Sequence, residues 1–160
     1  MSNVQIVPAT ERDTPVVLEL IRELADYEKL SHQVIATEER LRETLFGAHP
    51  AAEVLLAKCD KECAGMAVFF ATYSTFLAQP GLYLEDLYVK PHARGQGIGL
   101  ALLKHIARLA TDRGYGRVDW AVLNWNQPAI EFYRKLGAVP LDEWTTYRLS
   151  GDALNRLSGC

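Results

Sequence analysis

The sequence predicts an α/β fold: one domain over residues 1–160, built on a single mixed, largely antiparallel sheet flanked by helices. Three observations carry this. Segments of strand and helix periodicity follow one another in the order β-α-α-β-β-β-α-β-α-β. No internal repeat, low-complexity tract or linker divides them. The chain has 160 residues, of which 49% are hydrophobic and 23% charged, enough to bury one real core.

The elements follow in order. Val4 to Val7 alternates as a short first strand. Thr14 suits an N-cap with Pro15 at the first helical position, and Val17, Leu20, Ile21, Leu24 and Tyr27 recur at helical spacing, so roughly 15–29 is a helix. Ser31 to Ile35 breaks that pattern. Thr37 starts a second helix with Leu41, Leu45 and Phe46 on one side, ended by Gly47 to Pro50. Glu53–Cys59 and Ala64–Tyr73 read as strands joined at Asp60-Lys61-Glu62. Ser74 to Pro80 is a loop, and a strand runs from Gly81 through Val89, closed by Pro91. A helix then extends to about Arg113 with Ile98, Leu102, Ile106 and Leu109 as its core stripe, stopped by Gly114 and Gly116. Arg117–Leu123 reads as a strand. Asn126 and Pro128 open a helix through Leu136, which Gly137 terminates. Two short strands are expected near Ala138–Leu141 and Thr145–Leu149.

Net charge is −3 and Lys and Arg are scattered, with no basic block or stripe. That argues against a nucleic-acid partner. Cys59, Cys63 and Cys160 make an odd count, which suggests reduced thiols and a cytoplasmic location. Cys59-x-x-x-Cys63 lacks a second ligand pair, and His32, His49, His92 and His105 are scattered, so no metal site is expected. Glu11, Arg12 and Asp13 precede any long apolar run, so neither a secretory signal nor a membrane span is expected.

The most informative stretch is Arg94-Gly95-Gln96-Gly97-Ile98-Gly99, which runs straight into the helix beginning Leu100-Ala101-Leu102. Glycines leave no Cβ between an anion and the main chain. A helix N-terminus offers unpaired N–H groups and the positive end of the dipole. The loop therefore reads as a pyrophosphate cradle for a nucleotide-like cofactor. The dinucleotide fingerprint G-x-G-x-x-G fails, because counting from Gly95 and Gly97 its third glycine falls on Leu100. A P-loop fails too, since no Gly-Lys-Ser/Thr triplet exists.

The remaining pattern, Arg94-x-x-Gly97-x-Gly99 after the strand Tyr83-Leu84-Glu85-Asp86-Leu87-Tyr88-Val89, closely resembles the acetyl-CoA-binding motif of GCN5-related N-acetyltransferases, the GNAT family. A second motif, Asn126-x-x-Ala129-x-x-Phe132-Tyr133-x-x-x-Gly137-Ala138, resembles the signature that ends the cofactor site in that family. Leu24-Ala25-x-Tyr27-Glu28, Gly47-x-His49-Pro50 and Trp125-Asn126 resemble the diamine acetyltransferase branch, which acetylates spermidine, spermine, thialysine and ornithine. Where polyamine enzymes tend to carry Asp-Pro-Trp near Tyr73, this chain has Ser74-Thr75-Phe76, which tilts the expectation toward a smaller amine. The resemblance implies a splayed central strand pair binding acetyl-CoA. The cofactor would meet main-chain groups of Leu87, Tyr88 and Val89, the loop Arg94, Gly95, Gln96, Gly97, Ile98, Gly99 and Leu100, and then Asn126 and Tyr133. It also implies a homodimer, with Trp120, Trp125, Trp144 and the C-terminal strands suited to the interface.

Acetyl transfer from a thioester to an amine sets chemical demands. The amine must lose a proton, although a free alkylamine has a pKa near 10. The carbonyl oxygen needs donors as charge develops, and the departing thiolate benefits from an acid. Glu85, on the strand before the loop, is the candidate to hold a cationic amine and accept its proton. Asp86 would help bind a second ammonium; alternation puts the two on opposite faces unless a bulge intervenes. Tyr133 is the candidate acid, a phenol protonated at neutral pH. Tyr27, Glu28 and Asp142 are expected to border the acceptor pocket. The predicted reaction is direct attack in a ternary complex with a small cationic amine, without a membrane partner. Two alternatives stand beside it: acetylation of protein N-termini or lysines, and a non-catalytic acyl-CoA sensor.

Overall fold

A computed structural model describes residues 3–159 of the chain. Its contacts group into two compact units that divide in sequence between Ala121 and Val122. The first unit holds a five-stranded sheet in the order β1 (Val4–Pro8), β2 (Glu53–Cys59), β3 (Glu62–Ser74), β4 (Gln79–Val89) and β5 (Val118–Trp120). The first four strands pair antiparallel, and β5 joins β4 in parallel. The expected mixed, largely antiparallel sheet is present.

Helix α1 (Thr14–Tyr27) opens with Pro15 in its first turn, where the missing N–H costs nothing. Asp13, not Thr14, stands at the N-cap; the Thr14 hydroxyl instead donates to the Glu11 carbonyl at 2.6 Å. Helix α2 (Glu38–Phe46) follows Thr37, which caps it by accepting from the Arg40 N–H at 3.2 Å. Helix α3 (Ile98–Asp112) starts at Gly97, whose φ of 80° only glycine adopts without strain.

Core packing follows strand alternation. Val17 and Leu20 of α1 bury against Val54, Leu56, Met66, Val68 and Tyr88. These sheet residues stand opposite one another: Leu56, Met66 and Tyr88 in one row, Val54 and Val68 in the next. The intervening Leu55, Ala67, Phe69, Leu82 and Leu84 are buried too. They occupy the other face, where Leu55 and Phe69 share a cavity wall with His105 and Leu109 of α3. Ile98, Leu102 and Ile106 of the expected α3 stripe are fully buried, while Leu109 is only half-buried. Each of the larger of these side chains contributes roughly 1.5–3 kcal/mol on burial, so this double-sided core is what fixes β4 in place.

The loop expected over Ser74–Pro80 shrinks to Thr75–Ala78, because β3 and β4 keep pairing out to Ser74 and Gln79. Ser74 closes that hairpin by accepting the Leu77 N–H at 3.2 Å. Strand β5 is three residues long, shorter than the expected Arg117–Leu123, because its pairing with β4 stops at Leu84.

The second unit carries α4 (Gln127–Lys135) and α5 (Gly151–Ser158). Asn126 caps α4, accepting the Ala129 N–H at 3.4 Å, and Gly137 leaves it with φ 90°. The strands expected near Ala138–Leu141 and Thr145–Leu149 are absent among the described residues. Residues that favour strands form none without a ladder partner. Helix α5 was missed, although its ends are signalled: Ser150 precedes it, Asp152 lies in its first turn, Arg156 in its last, and Gly159 leaves it at φ 80°. Cys160 lies outside the described residues.

Candidate active site

The register of β4 against β3 slips at one place. Phe69 faces Leu84, but Val68 faces Asp86, so Glu85 is an extra residue in a β-bulge. The bulge reverses the alternation of β4. Before it, Leu84 lies on the α3 face opposite Phe69; after it, Asp86 and Tyr88 lie on the α1 face opposite Val68 and Met66. Asp86 would have joined the Leu84 face had the strand run straight.

Past Leu84, no strand pairs with the outer side of β4 among the described residues. The splayed strand pair that the sequence predicted is therefore present. Lys90 donates its N–H toward β3, to Ala64 O at 2.8 Å. By alternation the main-chain groups of Leu87 and Val89 point the other way, to the open edge. Val89 O, on that edge, accepts from Arg94 Nε at 2.9 Å.

The glycine loop lies just beyond. Gly95 and Gly97 hold φ values of 77° and 80°, and a Cβ built on either would meet nothing within 4 Å. A bare, open backbone at the start of α3 is suited to a pyrophosphate. Gly99 faces β4, where a Cβ would make an ordinary contact 3.8 Å from Val89 Cγ2. Ile98 is buried, Leu100 half-buried, and Gln96 exposed with its Nε2 3.5 Å from His92 O.

Acidic groups converge at the bulge. Burial, then the negative charges of Glu85 and Glu28, push the Asp86 carboxyl up to about 6. Glu28, at the end of α1, is raised by burial. Burial and the Glu85 charge also raise the Tyr83 phenol. The structure thus brings together Glu28, Glu85 and Asp86, three of the predicted acceptor residues, from two distant stretches of sequence. Tyr27 adjoins them, with the Arg94 guanidinium 4.7 Å from its ring centroid. Arg94 also lies 5.7 Å from the ring of Tyr88. That placement, turned back toward α1, was not foreseen; no local pattern marks it, since Tyr27 and Arg94 are far apart in sequence.

Asn126, Tyr133 and Asp142 belong to the second unit. Asn126 is buried at the start of α4. Tyr133 is half-buried in α4, its ring centroid 5.7 Å from that of Phe132. Asp142 lies in an exposed turn. Near Tyr73, Phe76 is fully exposed at the hairpin tip.

The acetyltransferase (GNAT) family model matches residues 18–138, spanning both the bulged strand and the Tyr133 motif. The chain belongs to the GNAT family. Over 99% of both chains this GNAT protein is 42% identical to thialysine N-epsilon-acetyltransferase of Sus scrofa. It is 33% identical to the L-ornithine N5-acetyltransferase NATA1 of Arabidopsis thaliana, over 93% of this chain and 85% of that one. Among solved structures, an integron cassette protein from the mobile metagenome of V. cholerae superposes with TM-score 0.83 at 29% identity, covering 100% of this chain and 99% of the other. The GNAT protein is accordingly an acetyl-CoA-dependent N-acetyltransferase of the diamine acetyltransferase branch. Among the described residues, no helix is long and apolar enough to cross a membrane.

Proposed function

We propose that the protein acetylates a primary amine of a small dicationic acceptor, of the thialysine, ornithine or lysine-like class, by direct attack in a ternary complex. The observation that carries this reading is the convergence of Glu28, Glu85 and Asp86 at the bulge, beside the open edge of β4. Three carboxylates offer more negative charge than one ammonium requires. They suit two ammonium groups, one to be acetylated and one to be held.

The roles follow from the chemistry of each group. Acetyl-CoA brings an activated acetyl thioester. The N–H groups of Leu87 and Val89 on the open edge are suited to donate to a carbonyl oxygen as it gains charge. The loop from Arg94 to Leu100 is suited to hold a pyrophosphate on backbone N–H groups. Glu85, the exposed residue of the bulge, accepts the proton that the attacking ammonium must lose, and Asp86 and Glu28 hold the distal cation with Tyr27 at their side. In this reading residues 1–160 form a single acetyltransferase domain. Tyr133 protonates the leaving thiolate, Asn126 binds the pantetheine arm as well as capping α4, and Asp142 adds charge for the distal amine.

A homodimer is part of the same reading. It is supported by the exposed apolar side chains Val139, Leu141, Trp144 and Tyr147, in a segment that joins no sheet among the described residues. A cytoplasmic location agrees with the unpaired thiols of Cys59 and Cys63.

The test is thiol release from acetyl-CoA against thialysine, ornithine, lysine, diaminopropane, putrescine and spermidine, with Tyr133→Phe run beside wild type. Preference for one short dication, lost in the variant mainly from kcat, is the expected result. Acetyl-CoA binding without turnover of any amine would overturn it and leave peptide acceptors or a sensor role.

A further inference from the structure

We infer that Arg94 is a positioning residue for the amine, tying the acceptor end of α1 to the cofactor loop, and is not devoted to phosphate alone. The inference rests on the small-amine reading above and assigns one more residue to it.

Arg94 opens the glycine loop, yet its side chain is directed back at two other elements. Its Nε donates to Val89 O on the edge of β4 at 2.9 Å. Its guanidinium carbon lies 4.7 Å from the Tyr27 ring centroid and 5.7 Å from that of Tyr88. Tyr88 is only 4% exposed and packed in the core, so it is a fixed anchor. Tyr27 is the last residue of α1 and is 37% exposed, so what holds its ring sets where the helix ends. Glu28 follows immediately as the C-cap, and Lys29 then leaves the helix in the left-handed region at φ 61°. The position of the Glu28 carboxylate therefore depends on how the Tyr27 turn is held.

Electrostatics favour the same link. A helix C-terminus attracts cations, but the last turn of α1 carries no basic residue. Arg94 supplies that cation from another element. Guanidinium is suited to the task because its face can stack on an aromatic ring while its edge donates hydrogen bonds. Besides the Nε bond to Val89 O, the guanidinium also hydrogen-bonds the Tyr88 side chain, which fixes it to β4. One side chain thus touches the acceptor wall, the thioester edge and the loop that opens α3.

The experiment uses steady-state kinetics at saturating acetyl-CoA, with the best amine from the panel, on wild type, Arg94→Gln, Tyr27→Leu, Tyr27→Phe and the double variant Arg94→Gln/Tyr27→Leu. Each of Arg94→Gln and Tyr27→Leu should raise the amine KM about two- to fivefold, the size expected of an exposed cation–π contact. The double variant should be no worse than the more affected single one, and Tyr27→Phe, which keeps a ring, should lose less than Tyr27→Leu. Multiplying effects, or an Arg94→Gln defect confined to the KM for acetyl-CoA, would overturn the inference. Hydrogen exchange gives a readout independent of turnover. The amides of Glu28 and Leu30 donate to Leu24 O at 2.9 Å and Ala25 O at 2.7 Å. Arg94→Gln should speed their exchange while leaving the amides of the α1 core protected; unchanged exchange would refute the link even if no amine in the panel is a substrate.

Discussion

Replacing Asp86 by Asn tests the electrostatics of the site through stability alone. Burial, reinforced by Glu85 and Glu28, moves the Asp86 carboxyl from 3.8 to about 6. Below the unfolded value the group is protonated in both states and contributes nothing. Between 3.8 and about 6, unfolding releases a proton, so stability falls as pH rises. Above about 6 the full penalty is present, about 3 kcal/mol as a ceiling, at 1.36 kcal/mol per pH unit. Water screening of exposed Glu85 trims this figure. Asp86→Asn removes the penalty. At pH 8 the variant should melt several degrees higher, given about 2–4 °C per kcal/mol for a chain of this size. Near pH 4 the gain should vanish. Paired thermal melts across pH 4–8 make the measurement. A gain that is the same at pH 4 and pH 8, or no gain at pH 8, would refute the account. On the proposed function the activity side carries the opposite sign, because only the ionised carboxylate would attract an ammonium. Wild-type kcat/KM should therefore rise with pH through about 6, and Asp86→Asn should flatten that limb while raising the amine KM.

Other outcomes follow from the geometry. Gly97→Ala puts a Cβ into the open cradle and forces a side-chain-bearing residue to φ 80°; it should raise the KM for acetyl-CoA while costing about 1–2 kcal/mol in a thermal melt. Gly65→Ala brings a Cβ to 2.5 Å from Tyr88 O, a backbone atom that can move only with β4, so it should cost about 1–3 kcal/mol and weaken acetyl-CoA binding without touching the cradle. Asn126→Ala removes the N-cap of α4 and should cost about 1 kcal/mol, read by chemical denaturation. Deleting Glu85 erases the bulge, whereas Glu85→Ala keeps it; calorimetry should find acetyl-CoA binding lost in the deletion and retained in the substitution.

Local signals carried most of the fold. Period-3.6 stripes located α1 and α3, because each buries one face on the sheet, and α2, whose Leu41 and Leu45 pack half-buried against the α1 side of the core. Pro128 and Gly137 bracketed α4 for backbone reasons that need no tertiary context. The segment from Ala138 to Leu149 misled, since alternating apolar residues announce a strand only if a ladder partner exists. Helix α5 was legible in Ser150, Asp152, Arg156 and Gly159, but its short length gave the periodicity little room. In the site, the acids were legible by type and their grouping was not. Glu28 and Asp86 are neighbours only because α1 ends above β4, which no spacing along the chain reveals. The motif places Arg94 in the cofactor loop; its stacking on Tyr27 is a property of the folded chain.

The bulge at Glu85 links these features causally. A regular β4 would send Asp86 to the face of Leu84, into the apolar layer under α3, where an unpaired carboxylate is costly. One inserted residue turns it instead toward α1, where Glu28 and Tyr27 stand. The same insertion increases the local twist of β4, and pairing with β5 stops at Leu84, the residue before the bulge. The main-chain groups of Leu87 and Val89 are left on an open edge just ahead of the glycine loop. The carboxylates and main-chain groups to which the proposed function assigns the acceptor and the thioester thus owe their placement to a single irregularity, on a strand that Met66, Val68, Phe69 and Leu84 otherwise hold by burial on both faces. Exposed edges are a liability that most sheets cover. Here the uncovered stretch lies between the acidic cluster and the glycine loop, as the proposed function requires of a place where an acyl donor meets a cationic acceptor.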